Sequence, residues 1–176
     1  MFELFPPPRS ANSSASSVDA VLFRSGMSRV AGAVHVVTTD GPAGRAGFTA
    51  TAMTPVTDSP ASLLVCANAG GRSATALEAN GVFCVNTLAD EDVPVAEAFA
   101  GRAELPGQNR FTVGGWGTLV TGSPLLTTSL VAFDCRVTDA RQVGTHHVII
   151  GEVVALHLGA NRPGLVYCGR GYHRLD

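Results

Sequence analysis

Asp40-Gly-Pro-Ala-Gly-Arg-Ala-Gly-Phe-Thr-Ala-Thr-Ala-Met-Thr-Pro-Val56 reads as a turn followed by a strand, and the fold class is worked out from there. Asp40-Gly41-Pro42 carries turn chemistry and closes the apolar run before it. Phe48-Thr-Ala-Thr-Ala-Met53 then alternates large apolar or hydroxyl residues with alanine. One face of such a strand offers small hydroxyls and open amides, a surface on which a flat polar ligand can lie. The same residues also make an ordinary hairpin arm, with threonines suited to extended backbone.

Working outward, Ala33–Thr39 is a β-branched run of almost unbroken apolarity, as a strand covered on both faces requires. Arg45–Met53 returns as its partner, and Ala61–Ala67 is a third strand ending at Asn68. Val82–Leu88, Leu130–Val137, His146–Leu156 and Gly164–Cys168 continue the series. Val131, Phe133, Cys135 and Val137 share one face of their strand, which leaves Asp134 and Arg136 on a wet one. Three helices interrupt the strands. One runs from Asp19, capped by Ser17 or Asp19, to Gly32; one covers Ala74–Asn80 and stops at Gly81; one covers Val93–Phe99 behind Glu91 and Asp92. Gly101–Gly117 is polar and glycine-broken, a flap or an interface carrying Phe111 and Trp116. Short strands joined mostly by turns predict a mostly β protein, a small antiparallel barrel with a few flanking helices. G-x-G-x-x-G is absent, which argues against a doubly wound dinucleotide fold.

At 176 residues with 45% apolar and 15% charged side chains, the chain is one compact domain. Residues 1–17, rich in Pro, Ser, Ala and Asn, read as a mobile tail ahead of a domain spanning 18–176. A net charge of -2 gives no footprint for nucleic acid or an anionic membrane. The N-terminus is too short and proline-interrupted to read as a signal peptide, and no apolar run reaches membrane-span length. All 12 basic residues are arginine, which excludes a Walker phosphate loop, a pyridoxal Schiff base and any lysine nucleophile. Cys66, Cys84, Cys135 and Cys168 lie far apart without a C-x-x-C pair and read as buried reduced thiols, which fits a cytoplasmic protein, with a disulfide as the alternative.

Candidates for acid–base or metal chemistry are few. His35 sits among valines as a core or interface histidine, and His157 and His173 lie near strand ends. His146 and His147 are adjacent on one strand, point to opposite faces, and cannot share a metal. No metal site is expected, and no nucleophile elbow suggests a hydrolase. Gly70-Gly71-Arg72-Ser73 before a helix is a candidate anion site, with Thr75 as a further hydroxyl. It is equally a plain helix start with a solvated arginine. A small-hydroxyl strand together with that helix entrance suits a planar, phosphorylated cofactor that brings its own reactivity.

In the order and spacing of Val37-Thr-Thr-Asp-Gly41, Gly47-Phe-Thr-Ala-Thr-Ala52, Leu64-Val-Cys-Ala-Asn68, Phe83-Cys-Val-Asn-Thr-Leu88, Val143-Gly-Thr-His146 and Gly171-Tyr-His173, the chain resembles the flavin reductase family. The likeness runs from about Val18 to Leu175 and is strongest to the reductases of pyrimidine degradation. It implies a Greek-key, FMN-binding split β-barrel, and a homodimer that reduces FMN (or FAD) with NADH or NADPH for a partner monooxygenase. A flavin carrier or sensor without turnover, or a reductase of a corrinoid or ferric complex, are the alternatives. By position, Thr49, Ala50, Thr51 and Ala52 would meet the flavin ring edge, and Asn68, Arg72, Ser73 and Thr75 the ribityl phosphate. His146 would position the nicotinamide. Thr145 stands where the family's triplet has Asp, Pro55 where serine is usual, and Ser59-Pro60 where two prolines are common.

Overall fold

The computed structural model describes residues 18–102 and 107–176. Helix α1 (Ala20–Met27) and the short β1 (Gly32–Ala33) precede four strands, β2 (His35–Thr39), β3 (Ala46–Ala50), β4 (Met53–Asp58) and β5 (Ala61–Asn68). Helix α2 (Arg72–Asn80) leads to β6 (Val82–Thr87), and α3 (Val93–Phe99) follows a 3-10 turn at Asp90–Asp92. Past a second 3-10 segment, Gly107–Thr112, come β7 (Trp116–Thr118) and β8 (Pro124–Leu126). The long pair β9 (Val131–Val143) and β10 (His146–Leu158) follows, then the hairpin β11 (Gly164–Cys168) and β12 (Gly171–Leu175).

Seven of these strands form one antiparallel sheet in the order β3-β2-β6-β9-β10-β5-β4. Its two end strands, β3 and β4, are joined in sequence by Thr51 and Ala52 alone. Three Cα–Cα steps reach at most about 11 Å. The sheet therefore has to curl until its ends meet, while β3 pairs only with β2 and β4 only with β5. The outcome is a barrel open along one seam, with β3 on one lip and the β4–β5 hairpin on the other.

Inside the barrel, Val37, Val65, Phe83, Val85, Cys135 and Ile149 pack with Ala74 and Leu77 of α2. On the outer side, Val34, Val36 and Leu88 pack beneath Val95, Ala96 and Phe99 of α3. Cover on both sides is why every residue of β2 is buried. Ser73 Oγ donates to the Gly47 carbonyl at 2.9 Å and ties the start of α2 to β3, while Gly81 ends the helix at φ 67°. Asp19 caps α1, accepting from Val21 N at 2.9 Å, yet no residue of that helix is buried.

Several expectations shift. The run read as Arg45–Met53 divides at the seam, since Thr51 and Ala52 carry the chain from one lip to the other. The strands β4, β7, β8 and β12 are additional to those read from the sequence, β9 extends to Val143, and α1 stops at Met27 well short of Gly32. Asp134 is not on a wet face. It is fully buried and accepts from Thr121 N at 2.8 Å and from the Thr121 hydroxyl, because the 119–123 segment folds over it. Residues 1–17, expected to form a tail, lie outside the described residues. No helix among the described residues is long and apolar enough to cross a membrane.

Candidate functional site

The seam holds a groove of about 790 Å³ among the described residues. One wall is the β3 lip and its link, Thr49 to Ala52; the other is the end of β5, Cys66 to Asn68. The entrance of α2 closes one end through Gly71 and Ser73, β10 supplies His146 and Val148, and Phe23 and Met27 of α1 stand at the mouth. Antiparallel register explains the convergence, since His146 lies directly opposite Asn68. Seven of the residues singled out from sequence thus share one groove: Thr49, Ala50, Thr51, Ala52, Asn68, Ser73 and His146.

Their polar atoms are not equally available. Thr49 Oγ1 donates to the Ala96 carbonyl at 2.6 Å, so this hydroxyl ties the lip to α3 and leaves the backbone of the strand as its ligand edge. Asn68 Oδ1 accepts from Gly70 N at 2.9 Å and holds the turn into α2, which leaves the amide nitrogen of Asn68 to donate. His146 Nδ1 lies 3.0 Å from Thr145 Oγ1, so the threonine in place of the family's Asp engages that nitrogen and not Nε2. His147 points the other way, 3.4 Å from Glu78. His35 is buried, and burial lowers its pKa to about 4, which removes it from acid–base work near neutrality.

Arg72 and Thr75 sit apart from the groove. Arg72 faces an adjoining pocket of about 200 Å³ that it shares with Arg45, Gly47, Ser73, Arg110 and Phe111. Thr75 is exposed on the next turn of α2 and lines neither cavity. Arg45 and Arg110 were not legible as site residues. Arg45 reads in sequence only as the first residue of the second strand, and Arg110 reaches the pocket because its loop folds back, donating Nη1 to the Gly47 carbonyl at 3.0 Å. A third cavity, of about 190 Å³, meets the same lip at Thr49–Thr51 and is framed by Arg102, Tyr167 and Tyr172.

A planar phosphorylated ligand fits these features. The groove lies within the roughly 300–1,000 Å³ range of small-molecule sites, its wall is a backbone edge, and the pocket beyond Ser73 is lined by arginines. Among the described residues Arg110 Nε is buried there without an acceptor, and the first amides of α2 receive no side-chain cap. Both call for an anion. No cluster of metal-ligating side chains occurs among the described residues.

Known proteins agree with this geometry. A family model described as "flavin reductase like domain" matches residues 27–176. The FMN reductase (NADH) RutF of Ancylobacter novellus is 48% identical over 170 residues, 95% of this chain and 93% of that one. A solved Haemophilus somnus structure assigned as a flavin reductase is 42% identical and superposes with a TM-score of 0.85, covering 90% of this chain and 100% of that one. BorF, the flavin reductase component of a bacterial two-component tryptophan halogenase, is 29% identical, with a TM-score of 0.82 over 90% of this chain and 99% of its own.

Proposed function

The chain belongs to the family of flavin reductase-like domains, and on that footing we propose that it is an NADH-dependent FMN reductase supplying reduced FMN to a separate flavin-dependent monooxygenase. The observation that carries this reading is the seam groove, with a backbone edge on one side, His146 on another and arginines past one end. NADH and FMN are favoured by the relative of nearly half-identical sequence, which is named for both. The role of supplier is favoured by the likeness to BorF, itself a component of a two-component system.

FMN, when bound, supplies the hydride acceptor, so the task left to the chain is alignment and exclusion of water. The backbone of Thr49–Ala52 would meet the ring edge, and the Asn68 amide, Ser73 and Arg72 would hold the tail. His146, fixed through Nδ1 by Thr145, would present Nε2 to the nicotinamide amide. No general base is assigned. Thr75 would contribute at most through the helix that bears it.

We also propose a homodimer in which the second copy covers α1 and β4. Val21, Leu22 and Phe23 are 63%, 66% and 61% exposed, five of the six β4 residues are exposed, and Phe23 and Met27 border the groove. A cytoplasmic location accords with four cysteines that form no disulfide. Mixing the purified chain with NADH and FMN and following nicotinamide absorbance tests the activity. Flavin-dependent NADH oxidation is expected; oxidation that ignores added FMN, or none, would overturn the assignment.

A further inference from the structure

We propose that Glu78, acting through His147, positions the β9–β10 turn and with it His146, so that a carboxylate on the opposite face of β10 from the groove sets the Michaelis constant for NADH. The inference deepens the reading of His146 given above and rests on it. Successive residues of a strand point to opposite faces, and β10 pairs with β5 without a register shift from His146 to Ile150. His146 and Val148 line the groove, whereas Ile149 packs inside the barrel with Ala74 and Leu77 of α2. His147 shares that interior face, and there its buried Nδ1 lies 3.4 Å from Glu78 Oε2 in a close contact rather than a hydrogen bond. Glu78 follows Leu77 near the end of α2, so the helix that plugs the barrel also reaches the strand that carries the groove histidine.

An exposed turn is where backbone order is weakest. Val143, Thr145 and His146 are all exposed, and Gly144 reverses the chain at φ 58°. Gln142 Nε2 donates to the Gly144 carbonyl at 3.0 Å, a bond within the hairpin itself. Ala69 N donates to the Thr145 carbonyl at 3.0 Å and holds the turn to the end of β5. The Glu78–His147 contact adds a tie to α2, whose first turn supplies Ser73 to the same groove. A carboxylate facing Nδ1 favours the ring tautomer with its proton on that nitrogen, which draws His147 toward the helix. His146 is the next residue on the same backbone, so a shift of His147 carries the groove histidine with it. Hydride transfer between stacked rings depends on alignment, and a small displacement of a positioning group is felt there.

Steady-state kinetics of the full chain, with NADH varied at saturating FMN, test the proposal beside flavin fluorescence titrations. Glu78→Ala removes the carboxylate and puts a strong helix former in its place. It should raise the Michaelis constant for NADH about threefold, the scale of a half-exposed charged contact, with kcat and FMN affinity nearly unchanged. His147→Leu should act alike and carries the test should Glu78→Ala misfold, and the two together should do no more than either alone. In a His146→Ala background Glu78→Ala should have no further effect, because the carboxylate works through that ring. A native Michaelis constant in Glu78→Ala, an equal loss of FMN affinity, or a threefold rise that persists without the His146 ring would overturn the inference. A native chain without flavin-dependent NADH oxidation, or a His146→Ala variant with a native Michaelis constant, would instead overturn the reading beneath it.

Discussion

His35 is 3% exposed, its Nδ1 lies 3.1 Å from Thr87 Oγ1, and burial lowers its pKa from 6.5 to about 4. Between those values the unfolded chain binds a proton that the folded chain refuses. The contribution to stability is therefore complete above the unfolded value and is lost as the pH falls toward about 4, a loss approaching roughly 3 kcal/mol. Urea titrations at about pH 7 and about pH 4.5 should show that decline, and His35→Asn should flatten it; an undiminished slope in the variant would place the acid sensitivity elsewhere. At the groove, His146→Ala should raise the Michaelis constant for NADH about fivefold, the worth of one hydrogen bond, with FMN affinity nearly unchanged. Thr145→Val should give a smaller shift of the same kind and Thr145→Ser none, because the hydroxyl acts by holding the ring at 3.0 Å. Equal effects on FMN and NADH would mean that His146 supports the groove wall only. Cysteine chemistry divides on burial as well. Burial, with Asp134 adding to it, pushes the Cys135 thiol up to about 12, and Cys84 is raised for the same reasons. Cys66 lies in the groove wall, so alkylation should be slow at Cys84 and Cys135, and at Cys66 it should be suppressed by FMN.

Strand β3 links the site to the fold, and Gly47 is the position where it cannot give way. A Cβ there would lie 2.7 Å from Phe99 Cε1 and 2.9 Å from the Val37 carbonyl oxygen, while the Gly47 carbonyl itself accepts from Ser73 and Arg110. Gly47→Ala should lower stability by about 1–3 kcal/mol and weaken FMN more than riboflavin, since it displaces the floor shared by both donors. A variant of native melting temperature and native FMN affinity would show that the strand relaxes freely. The elements legible in the sequence are those whose residues repeat with the period of their cover. β2 is buried throughout because α3 and the barrel interior sandwich it, and its β-branched run shows this in sequence, while α2 announces itself by its alanines and Gly81. β4 escaped because an exposed edge strand needs no alternation, and it tolerates Pro55 where a central strand would not. Thr51 and Ala52 read as strand because propensity says nothing about a chain crossing a seam. Asp134 and Arg110 were misread or missed for a common reason. The loop segment at Thr121 covers the first, and the second reaches strand β3 at Gly47, and neither partner is a sequence neighbour. The groove residues came together as expected because strand register places Asn68 against His146, whereas Thr75 is one helical turn too far round.

Viewed as a whole, the molecule has an incomplete side. An eight-residue helix is marginal in water by itself, and α1 buries none of its residues although Leu22 and Phe23 are more than three-fifths exposed. Val18, Met27 and Val30 extend the apolar patch at 66%, 50% and 58% exposure, and Val143 adds 55% at the groove mouth. Scattered surface apolar residues are ordinary, but a run of this kind beside the groove is where the proposed second copy would sit. A stable pair of small proteins covers on the order of 800 Å² on each partner. Because Phe23 and Met27 border the groove, a second copy seated there would close its mouth and exclude water from the ring. Sedimentation equilibrium at micromolar concentration should return twice the 18.1 kDa chain mass. Leu22→Glu with Phe23→Glu should return the monomer and weaken FMN binding in parallel. Both residues are exposed within the chain, so the double variant should retain the β-rich circular dichroism of the native barrel. A native chain that sediments as a monomer would leave α1 without its cover and remove the dimer from the proposal, whereas a monomeric variant with undiminished FMN affinity would show that each copy completes its own groove.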